Sequence, residues 1–152
     1  MWSLIPAAVL GLLVAGGDYS LARSVRTAAY QVCEQYQGGG GKLLFEGHWG
    51  FQYYMESRGA QALDVRNVSV HVGDVLVIPD NNTNILLPPP GTVNLIERME
   101  VPVGGVVSVM SLSAGTGFHC GAYWGPLPFD FGAPPPEAYA VYSIDVPIVV
   151  EP

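Results

Sequence analysis

The sequence predicts an α/β fold, a small and mostly parallel sheet with flanking helices, preceded by the end of a transmembrane helix. Residues 1–17 form an apolar run without an ionisable side chain, and an amphipathic helix follows. Short apolar strands then alternate with a helix, which is the order of a βαβ unit. We therefore divide the 152 residues into the end of a membrane helix (1–17), an amphipathic linking helix (18–37) and one small α/β domain (38–152).

Composition excludes some partners. Charged residues make up 12% of the chain, against about a quarter in ordinary soluble domains, and the net charge is −7 with six Lys and Arg. The chain therefore has no basic stripe for nucleic acid and no polybasic patch for anionic lipid headgroups.

Cys33 and Cys120 lie outside any metal-binding pattern. They are either one disulfide of an oxidising compartment or two small buried thiols.

The N-terminal segment Trp2–Gly17 reads WSLIPAAVLGLLVAGG. It is shorter than the roughly 20 apolar residues of a full span. Three interpretations fit: a membrane helix cut by a fragment boundary, a signal sequence or anchor, or a buried core helix. A signal peptide needs a basic start, but no Lys or Arg precedes Arg23, and Pro6 disfavours a core helix. We favour the membrane helix, and expect residues 2–15 to be helical with exposed apolar side chains.

The clearest predicted helix runs from Asp18 to about Tyr36. Its apolar residues recur at i, i+3, i+4 and i+7, which predicts burial of one face. Asp18 is the predicted N-cap, and the glycines at 38–41 end the helix.

Four elements follow the glycines. Leu43–Glu46 is a short buried strand, Phe51–Arg58 a helix that Gly59 ends, and Ala62–Val65 a second short strand. Asp74–Ile78 is continuously apolar, which predicts a strand buried on both faces. We expect the strands at 43–46 and 74–78 to lie side by side and parallel.

The second half of the chain is richer in strands. Val93–Val101 fits a strand or a short helix, and Val106–Leu112 is a β-branched strand. Residues 113–137 contain many Gly and Pro and predict a long loop. Tyr139–Ile144 alternates between apolar and polar residues and is the last predicted strand.

The segment EGHWGFQYY, residues 46–54, is the most suggestive of binding. It ends a strand and opens a helix, the place where ligands bind in open α/β sheets. The segment at 80–82 also follows a strand and should reach the same edge, with the long loop folded over it. The candidate binding residues are His48, Trp49, Asp80, Asn81, Asn82 and Trp124. Alternatively, the aromatic residues are the core face of the helix and His48 is an ordinary turn residue.

Other chemistry receives little support. His48, His71 and His119 are isolated in sequence, so no metal site is predicted, and no cofactor motif occurs. The paired acids of a glycoside hydrolase cannot be placed from the sequence, and Glu46 and Asp80 are only the nearest candidates for them.

Four stretches carry a resemblance. They are GDYSLARSVRTAA, GKLLFEGHWGFQYYMESRGA, GDVLVIPDNNTN and YWGPLPFDFG, of which EGHWGFQYYME is the most specific. In this order they resemble the extracytoplasmic C-terminal region of bacterial membrane glycosyltransferases of the GT-C class, related to dolichyl-phosphate-mannose protein mannosyltransferases.

The resemblance implies a multi-pass membrane enzyme with a polyprenyl-phosphate-linked sugar donor. Its catalytic carboxylate lies in the first extracytoplasmic loop, outside this chain, so no residue here inherits that role. The chain is then an inactive C-terminal fragment that contacts the membrane through residues 2–17, the rest of the enzyme, and a glycan or lipid-linked sugar. The alternative is a secreted or membrane-anchored binding module without enzymatic activity.

Overall fold

A computed structural model describes residues 4–63 and 69–147 and confirms the α/β class. The predictions for Trp2, Ser3 and the end of the second strand at Val65 lie outside these residues. In chain order the elements are α1 (Leu4–Tyr36), β1 (Leu43–Phe45), α2 (Trp49–Ser57), β2 (Gln61–Ala62), β3 (Val75–Pro79), β4 (Val93–Val101), β5 (Val107–Ser108), β6 (Met110–Ser111), β7 (Thr116–Gly117), α3 (Gly121–Trp124), β8 (Asp130–Phe131) and β9 (Glu137–Ile144).

Helix α1 is continuous, so the predicted boundary between two helices at residues 17 and 18 is wrong. Asp18 lies inside the helix and does not cap a new one. Each interior glycine costs about 1 kcal/mol relative to alanine, but packing favours Gly17. A Cβ on Gly17 would lie 2.6 Å from the carbonyl oxygen of Val107, so glycine allows β5 to approach the helix closely.

Burial along α1 follows the prediction only in part. Residues 4–13 are exposed, as expected for the apolar segment. Val14 also lies within the range 2–15 predicted to be exposed, but it is buried against Val107 and Val109, so the prediction is wrong at this residue. Further along, the buried residues fall on one side of the helix, which confirms the predicted amphipathic burial. These residues are Ser24, Ala28, Ala29, Val32 and Cys33.

The main sheet has the strand order β2-β1-β3-β9-β4. β1 is parallel to β2 across the α2 connection and parallel to β3, which confirms the βαβ unit and the predicted neighbours. β9 is antiparallel to β3, so the sheet is mixed and the prediction of a mostly parallel sheet is wrong. Parallel neighbours are usually joined through a crossover helix. The connection from β3 to β9 consists of strands β4 to β8, and its one described helix is the single turn α3.

The structure divides the chain into two compact units. The sheet unit contains residues 25–100 and 138–152, and the loop unit contains residues 1–24 and 101–137. Continuous segments at 1–17, 18–37 and 38–152 do not match this grouping, because the chain leaves the sheet after β4 and returns at β9.

The sheet unit has a core on both faces of the sheet. Leu44, Leu76 and Ile144 pack together with Val70 and Ile78. Helix α2 contributes buried Phe51 and Met55, and the Phe51 ring meets that of Phe45 at 5.9 Å between centroids. β4 resolves the ambiguous segment at 93–101 as a strand.

The loop unit contains more regular structure than predicted. The strand expected at 106–112 is split into β5 and β6, and the expected loop at 113–137 carries β7, α3 and β8. β5 pairs with β8 and β6 pairs with β7, both antiparallel. A small core of Val14, Val107 and Val109, with Leu21, Met110 and Phe129 packed against it, joins these strands to α1.

Candidate functional site

The carboxyl ends of β1 and β3 form one edge of the sheet unit. Phe45 stands opposite Val77 in the parallel register, and the Glu46 N–H donates to the Val77 carbonyl at 2.9 Å. The chain segments that follow the two strands therefore leave the sheet side by side. We call this edge the strand-end site and define it by Glu46, His48, Trp49, Asp80 and Asn82.

Asn82 connects the two segments. Its Oδ1 accepts the backbone N–H of His48 at 3.1 Å and that of Thr83 at 2.9 Å. The turn requires glycine at Gly47, whose φ is 107° and whose Cβ would lie 2.9 Å from the Pro79 Cγ. The structure thus brings His48 and Asn82 together, as the topology predicts.

Glu46 is a buried carboxylic acid at the base of this turn. It is 6% exposed, and its Oε1 is buried without a hydrogen-bond partner. Burial raises the pKa of Glu46 to about 7, opposed by a hydrogen bond from the backbone N–H of Leu86. At neutral pH this group therefore exists in both its protonated and ionised forms. The sequence places Glu46 at the end of a buried strand, before a glycine, and offers it with Asp80 as a candidate acid, but it does not indicate that the carboxyl group is buried.

Trp49 begins α2 in an unusual conformation. Its φ is 56°, in the left-handed region that bulky side chains rarely adopt, and its side chain is 59% exposed. The His48 ring lies 6.2 Å from it between centroids. Such backbone strain concentrates at functional sites.

The core interpretation of the aromatic residues holds only in part. Phe51 is buried, but Tyr53 is 68% exposed and Trp49 is also largely exposed. Tyr54 is half-buried and its ring contacts that of Tyr30 edge-on. Helix α2 therefore packs through Phe51 and Met55 and presents Trp49 and Tyr53 to its surroundings.

Asp80 lies at the same edge and forms an ion pair with Arg98, both side chains being partly exposed. Its backbone N–H donates to the Ala138 carbonyl at 2.9 Å, which joins it to β9. Asn81 is half-buried. No local sequence signal indicates the Arg98 partner, because β4 is distant along the chain.

Trp124 belongs to the loop unit, where it ends α3 and is 4% exposed. Its expected role as a roof over the strand-end site stays a prediction.

Both cysteines are free thiols. Within residues 4–63 and 69–147 no group of three His, Cys, Asp or Glu side chains is arranged to hold a metal ion.

α1 is the one described helix that is long and apolar enough to cross a membrane. Its most apolar 18-residue stretch has a mean hydropathy of 1.6 and is 11% buried. A signal sequence near the N-terminus meets the same criteria.

No known protein family, curated protein or solved structure matches the chain.

Proposed function

We propose that this chain is the non-catalytic C-terminal region of a membrane glycosyltransferase that uses a polyprenyl-phosphate-linked sugar, and that the strand-end site binds a sugar on the extracytoplasmic side. The observation that carries the binding proposal is the turn in which Asn82 holds the backbone of His48, the residue before a strained and exposed Trp49. The assignment to glycosyltransferases is supported by the sequence resemblance.

The chemistry of the strand-end site suits a carbohydrate. A tryptophan ring covers the apolar C–H face of a sugar ring, while carboxylate and amide groups form hydrogen bonds with hydroxyl groups. Trp49 supplies the ring. Asn82 supplies its amide Nδ2, since its Oδ1 already accepts two backbone N–H groups, and Asp80 supplies a partly exposed carboxylate that also pairs with Arg98. The same features suit the sugar of a lipid-linked donor or of an acceptor glycan.

A second candidate is a binding module with no enzyme attached. The exposed apolar segment at residues 4–13 supports this module as well as it supports the glycosyltransferase. A membrane anchor, a signal sequence and the end of a membrane helix are all exposed and apolar. The neighbouring reading frame discriminates between the two. Many hydrophobic spans upstream support the glycosyltransferase, and a signal peptidase site supports the separate module.

Sugar binding is tested with the full chain in detergent micelles. Saturation-transfer NMR and calorimetry with methyl glycosides and a short polyprenyl-phosphate sugar need no fluorescent reporter. Trp49→Ala should weaken binding about tenfold, equivalent to about 1.4 kcal/mol. Tyr53→Ala is the matched control, because Tyr53 is an exposed aromatic residue of the same helix. Absence of binding, or equal weakening in both variants, would show that the strand-end site is scaffold.

A further inference from the structure

Residues 101–137 of the loop unit expose several large apolar side chains. Within residues 101–137, six large apolar side chains are 47–60% exposed. They are Val106, Leu112, Phe118, Tyr123, Leu127 and Phe131. Single exposed apolar residues are normal, but a concentration of them marks a contact surface.

This surface also lacks charge. No Lys or Arg follows Arg98 in the sequence, and the only carboxylates of residues 101–137 are Asp130 and Glu137. Glu137 is buried, and His119 pairs through Nε2 with Asp18 Oδ1 at 3.1 Å. A water-facing surface usually carries far more charge than this. The composition is that of a surface in contact with apolar material.

Backbone hydrogen bonds connect several of the exposed residues. Phe131 pairs with Val107 where β8 meets β5. The Leu127 carbonyl accepts the N–H of Gly117 at 2.8 Å, and the Phe118 N–H donates to Val109 at 2.8 Å. Phe118, Leu127 and Phe131 therefore project from hydrogen-bonded backbone.

The network is packed on α1 where the apolar segment ends. Val107 and Val109 form a core with Val14, and β5 approaches Gly17 closely. Val14 directly follows the exposed residues 4–13. At a rise of 1.5 Å per residue, Gly17 is about 7 Å beyond Leu12 along the helix, roughly the depth of one interfacial layer of a bilayer.

From this continuity we infer that residues 101–137 of the loop unit form a second membrane contact, beside the apolar segment of α1 at residues 4–13. Their exposed aromatic and aliphatic side chains lie in the interface of the bilayer that holds this segment. The inference rests on the membrane anchoring in the proposed function. Tyr123 combines an apolar ring with a polar hydroxyl group, which favours the interfacial layer. Phenylalanine and leucine side chains insert from this layer towards the acyl chains. Because residues 101–137 contain no Lys or Arg to attract anionic headgroups, the contact does not depend on anionic lipid.

The test is the depth of spin labels in the full chain, reconstituted in phosphatidylcholine vesicles. In a Cys120→Ser background, labels are attached at Phe118→Cys, Leu127→Cys and Phe131→Cys, one per variant. Cys33 is buried and stays unlabelled. Leu12→Cys reports on α1, and Tyr53→Cys is an exposed control in the sheet unit. Collision rates with oxygen, which concentrates in lipid, and with a water-soluble nickel chelate give the depth.

We expect collisions with oxygen to dominate at Leu12 and the three loop positions, and collisions with nickel to dominate at Tyr53. Adding phosphatidylglycerol should leave the depths unchanged. Loop labels in water with Leu12 in lipid would overturn this inference alone. Leu12 and the loop labels all in water would overturn the membrane anchoring as well. Loop labels shielded from both reagents would show that protein, not lipid, covers the loop unit, which also overturns the inference.

Discussion

Replacement of Glu46 by glutamine tests the burial of an ionisable group at the strand-end site. The carboxyl group is 6% exposed, one oxygen has no partner, and the Leu86 N–H donates to it. Glutamine has nearly the same shape and retains an acceptor for that N–H, but it cannot ionise. The substitution therefore removes the cost of placing a charge in this environment.

The magnitude follows from the pKa of Glu46, which burial raises from 4.5 to about 7. Below pH 4.5 both the folded and unfolded states are protonated, so ionisation does not affect stability. Between pH 4.5 and 7 only the unfolded state loses its proton, and the free energy of unfolding falls as the pH rises. Above about pH 7 the loss is complete at about 3 kcal/mol, or less where water enters on ionisation.

Glu46→Gln should abolish this pH dependence. At pH 8 the variant should unfold several degrees above the wild type. At pH 4 it should be no more stable, because its amide N–H₂ lacks an acceptor at the buried position. Near-ultraviolet circular dichroism of the full chain in micelles, from pH 4 to 8.5, measures the transitions. Glu56→Gln on the exposed side of α2 is the control. Parallel wild-type and Glu46→Gln profiles would refute the burial argument.

Asn82→Ala should lower the free energy of unfolding by about 1–3 kcal/mol, because two backbone N–H groups lose their acceptor, whereas Asn82→Asp should keep most of the stability. Chemical denaturation compares the two, and equal losses would show that Oδ1 is not the connection. Gly17→Ala should destabilise the loop unit by about 1–3 kcal/mol, because the added Cβ overpacks against β5. Gly16→Ala is the matched control: its Cβ meets no atom within 4 Å, so it should stabilise α1 by up to about 1 kcal/mol. Thermal unfolding that ranks both variants alike would contradict the close approach. The purified chain should transfer no sugar from a polyprenyl-phosphate donor, because the resemblance places the catalytic carboxylate outside it; turnover of radiolabelled donor that Glu46→Gln or Asp80→Asn abolishes would overturn the assignment.

The sequence predicts those parts of the fold that depend on local pattern. Continuous apolar character identifies β1 and β3 as strands buried on both faces, and α2 between β1 and β2 makes that pair parallel. The direction of β9 was not predictable, because an alternating strand carries no information about its neighbour. The predicted boundary in α1 depends on local features, namely the apolar run that ends at Gly17 and Asp18 as an N-cap. The observed packing of the helix against β5 involves residues far along the chain, so no local pattern reports it.

The same distinction applies to the strand-end site. Topology alone places His48 and Asn82 at one edge, since parallel neighbouring strands end together. The unpartnered Oε1 of Glu46 and the Arg98 partner of Asp80 are tertiary features that depend on which segments cover the edge. The left-handed conformation of Trp49 has no sequence signature, because tryptophan is among the residues least expected there.

During synthesis, β3 and β4 leave the ribosome before the strand that lies between them. β9 pairs with β3 from Val75↔Ser143 to Pro79↔Tyr139 and is also the neighbour of β4. Until residues 137–144 emerge, the nascent chain carries β3 with one unpaired edge, and such edges promote association with other chains. A message truncated before β9 would therefore yield a product that aggregates through this open edge, so residues 137–144 decide whether the sheet is completed.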